Sequence, residues 1–391
     1  MIDVQPSKKE VLEVSSIAKE IISKIKIKDA KAVLGGSGAK NTWLPGKKEI
    51  DIYVKFNYKK YKDKSEKLSD LVYPKLKKAF KKVTSLHGSR DYFQVFKDNF
   101  TIEIIPILDI KNASEAKNIT DISQLHVDYV KKYAKLANQI RLAKTFAKAQ
   151  EVYGAESYIR GFSGYVLELL VIQCGSFRKL INAASKWKEI TAIGKKEDVA
   201  TLNYSKKVSP LILIDPVQSS RNAAAALSED MYNKFIAVCK SYSKKPSDEF
   251  FTPKKHSFKS DHNSILLEVK PKSGKQDVVG AKLLKAFEHI KRKLEENDFK
   301  IKDAKWHWNK IALFSYELES SVLDEFKEVR GPPVNLKHHL EEFEKKHGKI
   351  YTKNGISYAK SRRNFTHARN LIKSVFGTVD IINRVNTISI N

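Results

Sequence analysis

The chain has 391 residues, 41% hydrophobic and 30% charged, which argues against a disordered polypeptide and, at this length, for two or three domains. Lys and Arg number 73 against 45 Asp and Glu, a formal charge of +28, a balance suited to a polyanionic partner, most commonly a nucleic acid backbone. Cys174 and Cys239 both fall in helical runs and argue against a disulfide framework or zinc site; no apolar run reaches the ~18 residues of a membrane span. The first residues, MIDVQPSKKEVLEV, lack the apolar core of a signal peptide, so an intracellular, cytoplasmic protein with no membrane partner is expected.

Along the chain, 7-SKKEVLEVSSIAKEIISKIK-26 carries Ser7 and Glu10 at capping-box spacing and Val14, Ile17, Ile21 and Ile25 at helical spacing, predicting an amphipathic helix. A Gly35-Gly36-Ser37 turn and the strand 49-EIDIYVKF-56 follow, then a helix over 65–80 with Pro74 as a kink or break. Strands are predicted over 91–98 and 100–108. Helix, strand, helix, strand, strand is the order of a mixed sheet with helices on one face.

From about 125 to 245 the pattern turns helical, with runs over 126–150, 163–174 and 176–188. Within it, 209-SPLILIDPVQSSRNAAAAL-227 reads as a short apolar strand, a turn, and a helix presenting Arg221 and Asn222 near its start. The Pro- and Lys-rich 243–257 reads as a linker. Beyond it come a strand over 264–270, a helix over 280–297, a longer strand over 305–320, a charged helix, and a hairpin around Asn354-Gly355. The expected class is α+β multidomain: a mixed-sheet domain over 1–125, a helical central domain over 126–250, and a small α+β C-terminal domain with a tail over 251–391.

Side chains alternate along a strand, so Glu49 and Asp51 leave one face while Ile50, Ile52, Val54 and Phe56 leave the other. In 100-FTIEIIPIL-108, Glu103 alternates in the same way with Ile102 and Ile104. If the two strands are neighbours, Glu49, Asp51 and Glu103 form a carboxylate cluster that repels itself unless a hard divalent cation such as Mg²⁺ sits in it. Two such ions are the usual arrangement for in-line phosphoryl displacement. Gly35 and Gly36 would then let the backbone approach a triphosphate, with the Ser37 hydroxyl as a donor. The spacing is not that of a Walker loop.

The motif GGSGAKNTWLPGKKEID resembles the signature of the archaeal-type (class I) CCA-adding tRNA nucleotidyltransferases, within the DNA polymerase beta superfamily. Residues 153–177 and 214–229 are similar to that family's central domain, and 331-GPPV-334 to its C-terminal part. The resemblance implies a nucleotidyltransferase-fold enzyme that adds C, C and A to the tRNA 3′ end from CTP and ATP, with two Mg²⁺ ions or Mn²⁺. It implies Glu49 and Asp51 as metal ligands and Glu103 as the third acid, activating the attacking hydroxyl. Gly36, Ser37 and Lys40 would hold the triphosphate, His126, Lys144 and Tyr153 would contact triphosphate and sugar, and Arg221, with Asn222 beside it, would select the base. The family also suggests a homodimer. Three positions depart from its pattern: Glu103 where Asp is usual, Gly38 where a bulky aromatic is usual, and Asn41 where Gly is usual.

The tRNA, through its acceptor and TψC arm, is expected to be held by shape and phosphate contacts, with Lys360, Arg362, Arg363 and Arg369 as candidates. Trp306 and Trp308 alternate on a strand, placed either to stack on bases or to fill a core. The alternatives are a sister enzyme adding only A, only C or a poly(A) tail, and a non-catalytic tRNA-binding protein.

Overall fold

Ser7 caps the first helix as its spacing to Glu10 predicts: the Glu10 amide donates to Ser7 Oγ at 3.2 Å and the Ser7 amide to Glu10 Oε2 at 2.8 Å. This helix, α1 (Lys8–Lys24), buries Ile17, Ala18 and Ile21. The computed structural model describes residues 2–253, 258 and 261–390, and the chain divides into two compact units, Met1–Lys254 and Lys255–Asn391.

After α1 come β1 (Ala30–Leu34), α2 (Gly36–Lys40), β2 (Glu49–Asn57), α3 (Tyr58–Tyr61) and α4 (Leu68–Ala79), then β3 (Thr84–Leu86), β4 (Tyr92–Lys97) and β5 (Phe100–Asp109). The strands form one sheet in the order β1-β2-β5-β4-β3, mixed because β2 and β5 run parallel while the other pairs are antiparallel. Ile50, Ile52, Val54 and Phe56 of β2 pack with Ile102 and Ile104 of β5 against α1 and α4, whose Leu68, Val72 and Leu76 are fully buried. Pro74 sits inside α4 without ending it. Pro106 is tolerated in β5 because β4 pairs it only as far as Ile104, and the Pro106 carbonyl accepts from Arg90.

The expected single run over 126–150 is two helices, α5 (Ser123–Lys131) and α6 (Ala137–Ala149), separated by a 3₁₀ turn at Ala134–Leu136. Then follow α7 (Gly164–Cys174), α8 (Phe177–Ala184), β6 (Thr191–Ile193), α9 (Lys196–Thr201), β7 (Leu211–Asp215), β8 (Gln218–Asn222) and α10 (Glu229–Lys244). Phe146, Phe162, Phe177 and Phe235 anchor the core shared by α6, α7, α8 and α10. Arg221 and Asn222 lie on β8, not at the start of a helix. The Asn222 carboxamide bonds the backbone of Leu211, Leu213, Lys206 and Ala224, locking the hairpin, and the next helix waits until the Ser228 cap. The expected linker is partly structural too, since Asp248–Phe251 forms a 3₁₀ turn whose Phe251 is buried on Phe146 and Phe177; residues 254–257 lie outside the described residues.

In the second unit β9 (Ser264–Pro271) and α11 (Gln276–Glu296) are followed by β10 (Ile301–Trp308) and β11 (Ala312–Leu318). The strand expected over 305–320 is therefore a hairpin, with Trp308 opposite Ala312 across a turn that carries no glycine to announce it. The remaining elements are β12 (Phe326–Pro333), α12 (Lys337–His347), β13 (Ile350–Lys353), β14 (Ile356–Arg362), α13 (Ala368–Phe376), α14 (Val379–Ile382) and β15 (Val385–Ile390). They complete one sheet, β10-β11-β9-β15, and a second, β12-β14-β13, whose β13–β14 turn contains Asn354-Gly355 as expected. Trp306 serves the core, packing on Phe287 and Phe314.

Arg141 on α6 ties the first unit together. Only 4% exposed, it donates from Nε to the Trp43 carbonyl (3.0 Å) and from Nη2 to the Asn41 carbonyl (2.8 Å) and Oδ1 (2.7 Å). Arg141→Met keeps the apolar stem and strands those acceptors, so it is expected to destabilise the chain by about 2–4 kcal/mol; equilibrium urea unfolding measures this.

Candidate active site

The catalytic candidates sit where β2 and β5 run side by side. Asp51 is the register partner of Glu103, and Glu49 lies two residues away on the same face of β2. On that face Tyr53 is buried with Ile107 and Val127, so α2 and α5 cover one end of the sheet and leave the acids at the open end.

Glycine at 36 is a steric requirement. Its φ is +50°, and a Cβ there would overlap the Asp51 carboxylate. The Gly35 amide donates to the Asp51 carbonyl at 2.8 Å and the Gly36 amide to the Tyr53 hydroxyl at 3.1 Å, seating the turn against β2. Ser37 and Lys40 follow in α2.

The three acids share a face, but their oxygens do not converge. Among the described residues the tight grouping of metal-ligand side chains, all within 4.8 Å of one another, is the exposed His338, His339 and Glu342. Glu49 instead pairs with Lys47 at 3.0 Å, and Glu103 accepts from Gln94 Nε2 at 2.9 Å. Burial, then the Glu49 charge, pushes Asp51 above its ordinary carboxyl range against the pull of Lys47 and Lys40. Burial likewise raises Glu103; Gln94 opposes the shift and the Asp51 and Glu49 charges add to it. An all-oxygen donor set on one sheet face, with charge that burial and repulsion penalise, fits a hard divalent cation.

A cationic wall faces these acids. Burial works against the Lys47 charge, but Asp51 and Glu49 outweigh it and raise the ammonium pKa. Lys144 and Lys148 stand four residues apart on α6, the repeat that places side chains on one helix face. Lys148 is a candidate that sequence reasoning missed, although its spacing from Lys144 was the available signal. It lies over the Tyr153 ring at 5.2 Å and within the field of Lys47 and Glu49. The Tyr153 hydroxyl, pushed up to about 12 chiefly by burial, also senses Lys47.

Two buried carboxylates hold cationic side chains on this side of the site. Glu168, 1% exposed on the apolar helix α7, accepts from Lys40 Nζ at 2.8 Å, Lys144 Nζ at 2.7 Å and Thr42 Oγ1 at 2.6 Å. Burial opposes its charge, but Lys144 and Lys40 outweigh burial and hold it down at about 2. Asp215, fully buried, accepts from His126 Nε2 (3.0 Å), Tyr165 Oη (3.0 Å) and Arg221 Nη1 (2.6 Å). Tyr165 links the two groups: its ring stacks on His126 with centroids 4.0 Å apart and lies under Lys40 Nζ at 5.0 Å. A polar cleft of about 650 Å³ opens between α5 and the β7–β8 turn, lined by Lys111, Asp128, Tyr129, Lys132, Gln218 and Ser219. Asn222 stands apart, its amide committed to the hairpin backbone.

The departures from the family pattern have local explanations. Asn41 is left-handed at φ 55°, ψ 41°, a conformation that Gly takes freely and Asn tolerates best among other residues. A Cβ at Gly38 would come within 3.2 Å of Leu34 Cδ1. Glu103, one methylene longer than Asp, has Gln94 to hold its carboxylate.

In the second unit, Lys360 and Arg362 project exposed from β14, and Arg369 is exposed on α13. Arg362 Nε pairs with Glu325 at 2.9 Å. Arg363 is bound to Asp298 with its side chain 17% exposed, a local clamp more than a free cation.

The sheet, its acid pair and the facing cations are those of a nucleotidyltransferase. A nucleotidyltransferase-domain model matches residues 14–151, a model for the second domain of tRNA nucleotidyltransferase matches 138–252, and one for the CCA-adding enzyme C-terminal domain matches 264–380. The CCA-adding enzyme of Nanoarchaeum equitans is 36% identical over 82% of this chain and 82% of its own length. That of Methanosarcina barkeri is 30% identical over 95% of this chain and 86% of its own, and that of Sulfurisphaera tokodaii 31% over 93% and 87%. The chain belongs to the CCA-adding enzyme family of tRNA nucleotidyltransferases. A solved poly(U) polymerase, Cid1, shares the fold at a TM-score of 0.51 and 13% identity, over 64% of this chain and 95% of its own.

Raised carboxyl pKa values have a definite sign in stability. A group that holds its proton more tightly folded than unfolded favours the fold at low pH, and the advantage is lost as pH rises through the folded pKa. Asp51→Asn and Glu103→Gln are therefore expected to melt higher than wild type at pH 7 in EDTA, with the difference vanishing below about pH 4, the ordinary carboxyl range. Thermal melts across pH 3–8 are the check.

Proposed function

We propose that the chain adds C, C and A in turn to the 3′ end of tRNA, from CTP and ATP, with release of pyrophosphate and no nucleic acid template. The observation that carries this reading is the pairing of Glu49, Asp51 and Glu103 on one sheet face with Lys40, Lys47, Lys144 and Lys148 around them. Acids on one side and cations on the other suit a triphosphate whose reacting phosphorus must meet an incoming hydroxyl.

Glu49, Asp51 and Glu103 would hold two divalent cations, Mg²⁺ or Mn²⁺, which would supply Lewis acidity toward the 3′-hydroxyl and the leaving phosphates. Glu103 takes the proton as the 3′-oxygen bonds to the α-phosphorus and the α–β phosphoanhydride bond breaks. Ser37 and Lys40 bind the triphosphate beside the Gly36 turn, and Lys144 of α6 and Tyr153 of the segment between α6 and α7 face it. His126 contacts the sugar, and Arg221 reads the base.

The tRNA is held by its backbone and shape, because the deep major groove of duplex RNA offers side chains little readable sequence. Lys360, Arg362 and Arg369 bind its phosphates.

Extension of tRNA lacking its 3′ CCA, with each nucleoside triphosphate alone and combined, followed by sequencing, tests the reading. Ordered C, C, A addition that stops there, and that disappears in Asp51→Ala while tRNA binding persists, is expected; addition of A alone or of long tails overturns it. For the RNA surface, Lys360→Ala with Arg369→Ala is expected to lower the slope of log K against log salt by roughly 0.7–0.9 for each phosphate no longer neutralised. An unchanged slope in filter binding removes both residues from the interface.

A further inference from the structure

Asp215 has no place among residues that touch a reacting atom, yet three elements of the first unit converge on it. It ends β7 with no exposed surface and accepts from His126 of α5, Tyr165 of α7 and Arg221 of β8, while the Val217 amide donates to its Oδ1 at 3.1 Å and fixes its rotamer. A buried carboxylate costs several kcal/mol unless its partners satisfy it, and here those three elements do so at once. Burial alone would lift its pKa; His126, the Val217 amide and Arg221 hold it below the ordinary value, so it stays ionised.

We propose that Asp215 is a positioning residue for nucleotide selection: its carboxylate fixes the plane of the Arg221 guanidinium, and with it the geometry in which the incoming base is read.

This role rests on the reading of Arg221 as the base-selecting residue. A guanidinium carries five N–H donors in one rigid plane, so anchoring one edge at 2.6 Å sets the direction of the rest. The Arg221 side chain is 30% exposed, which leaves part of it available beyond that anchor. Telling a pyrimidine from a purine by hydrogen bonding needs donors held within about 10–20°, which a flexible arginine on an edge strand does not achieve without an anchor. The same carboxylate also receives Tyr165, whose ring lies under Lys40 and against His126. One anchor therefore registers the base reader against the groups that grip triphosphate and sugar.

The test measures kcat and KM for C addition and for A addition on tRNAs ending at the matching step, in wild type, Asp215→Asn, Arg221→Ala and the double variant. Asp215→Asn is expected to change the ratio of kcat/KM for ATP over CTP by about tenfold, the weight of one charged hydrogen bond. The ratio in the double variant should equal that of Arg221→Ala alone, because the two residues act as one unit. Equal losses for both nucleotides, or additive effects on the ratio, would mean that Asp215 merely supports the fold and would overturn the proposal. A ratio unmoved by Arg221→Ala removes the base-selection reading itself, and the proposal with it. A ratio moved by Arg221→Ala but not by Asp215→Asn overturns only the positioning role. If Asp215→Asn does not melt cooperatively, Tyr165→Phe removes one donor and keeps the charge. A smaller shift of the ratio, in the direction that Arg221→Ala moves it, is then expected, and no shift counts against the proposal.

Discussion

The buried carboxylate of Glu168 is the constraint on which the active-site region depends. A charge inside an apolar helix is tolerable only if cations reach it, and those that do, Lys40 and Lys144, come from the helix after the glycine turn and from α6. Thr42 adds a hydroxyl from the loop between them. The turn that would face a triphosphate is thus bound to the central helices by the same group that fixes the lysines. Arg141 repeats the design one turn earlier on α6, with its fork on the carbonyls of Asn41 and Trp43. The loop cannot drift from α6 without stranding buried polar atoms.

What the sequence revealed follows from the range of the forces involved. Alternation along β2 placed Glu49 and Asp51 on one face because the opposite face is a continuous apolar strip that has one place to go. Capping at Ser7 and Glu10 was equally local. The hairpin at β7–β8 departs from the expected helix start because Ala223 to Ala226 favour a helix locally, whereas the deciding interactions are bonds from the buried Asn222 amide to Lys206, Leu211 and Leu213, up to sixteen residues away. Glu168 and Asp215 were harder still. Each is a single acid in an apolar run, and the partners that explain Glu168 lie 24 to 128 residues away in sequence. The family resemblance named Lys40, Lys144, His126 and Arg221 as ligands, but not the carboxylates that aim them. Gly36 shows the reverse: a turn read from its glycines as an approach for a triphosphate proves also to be fixed sterically by Asp51.

The two halves of the site are finished to different degrees. On the cationic half the carboxylates of Glu168 and Asp215 are fully satisfied, and both are held below the ordinary carboxyl range by their partners. On the reactive half Asp51 and Glu103 are pushed the other way, and Glu49 is turned aside to Lys47. Natural folds concentrate such unresolved charge where chemistry requires it. The lysines and the arginine proposed to recognise a nucleotide are preorganised by internal partners, so little ordering would remain to be done on binding.

This division also explains why the satisfied carboxylates come from the central helices and the unsatisfied ones from the sheet. Neighbouring strands in fixed register bring Asp51 and Glu103 side by side on one face, which suits groups proposed to share a cation. Helices α6 and α7 offer no such enforced repulsion; they can bury one carboxylate among several donors drawn from different elements. A sheet therefore supplies the tension in this site and a helical core supplies the anchors. The loop from Gly35 to Trp43, bonded to Asp51 at one end and to Arg141 at the other, carries the constraint between them.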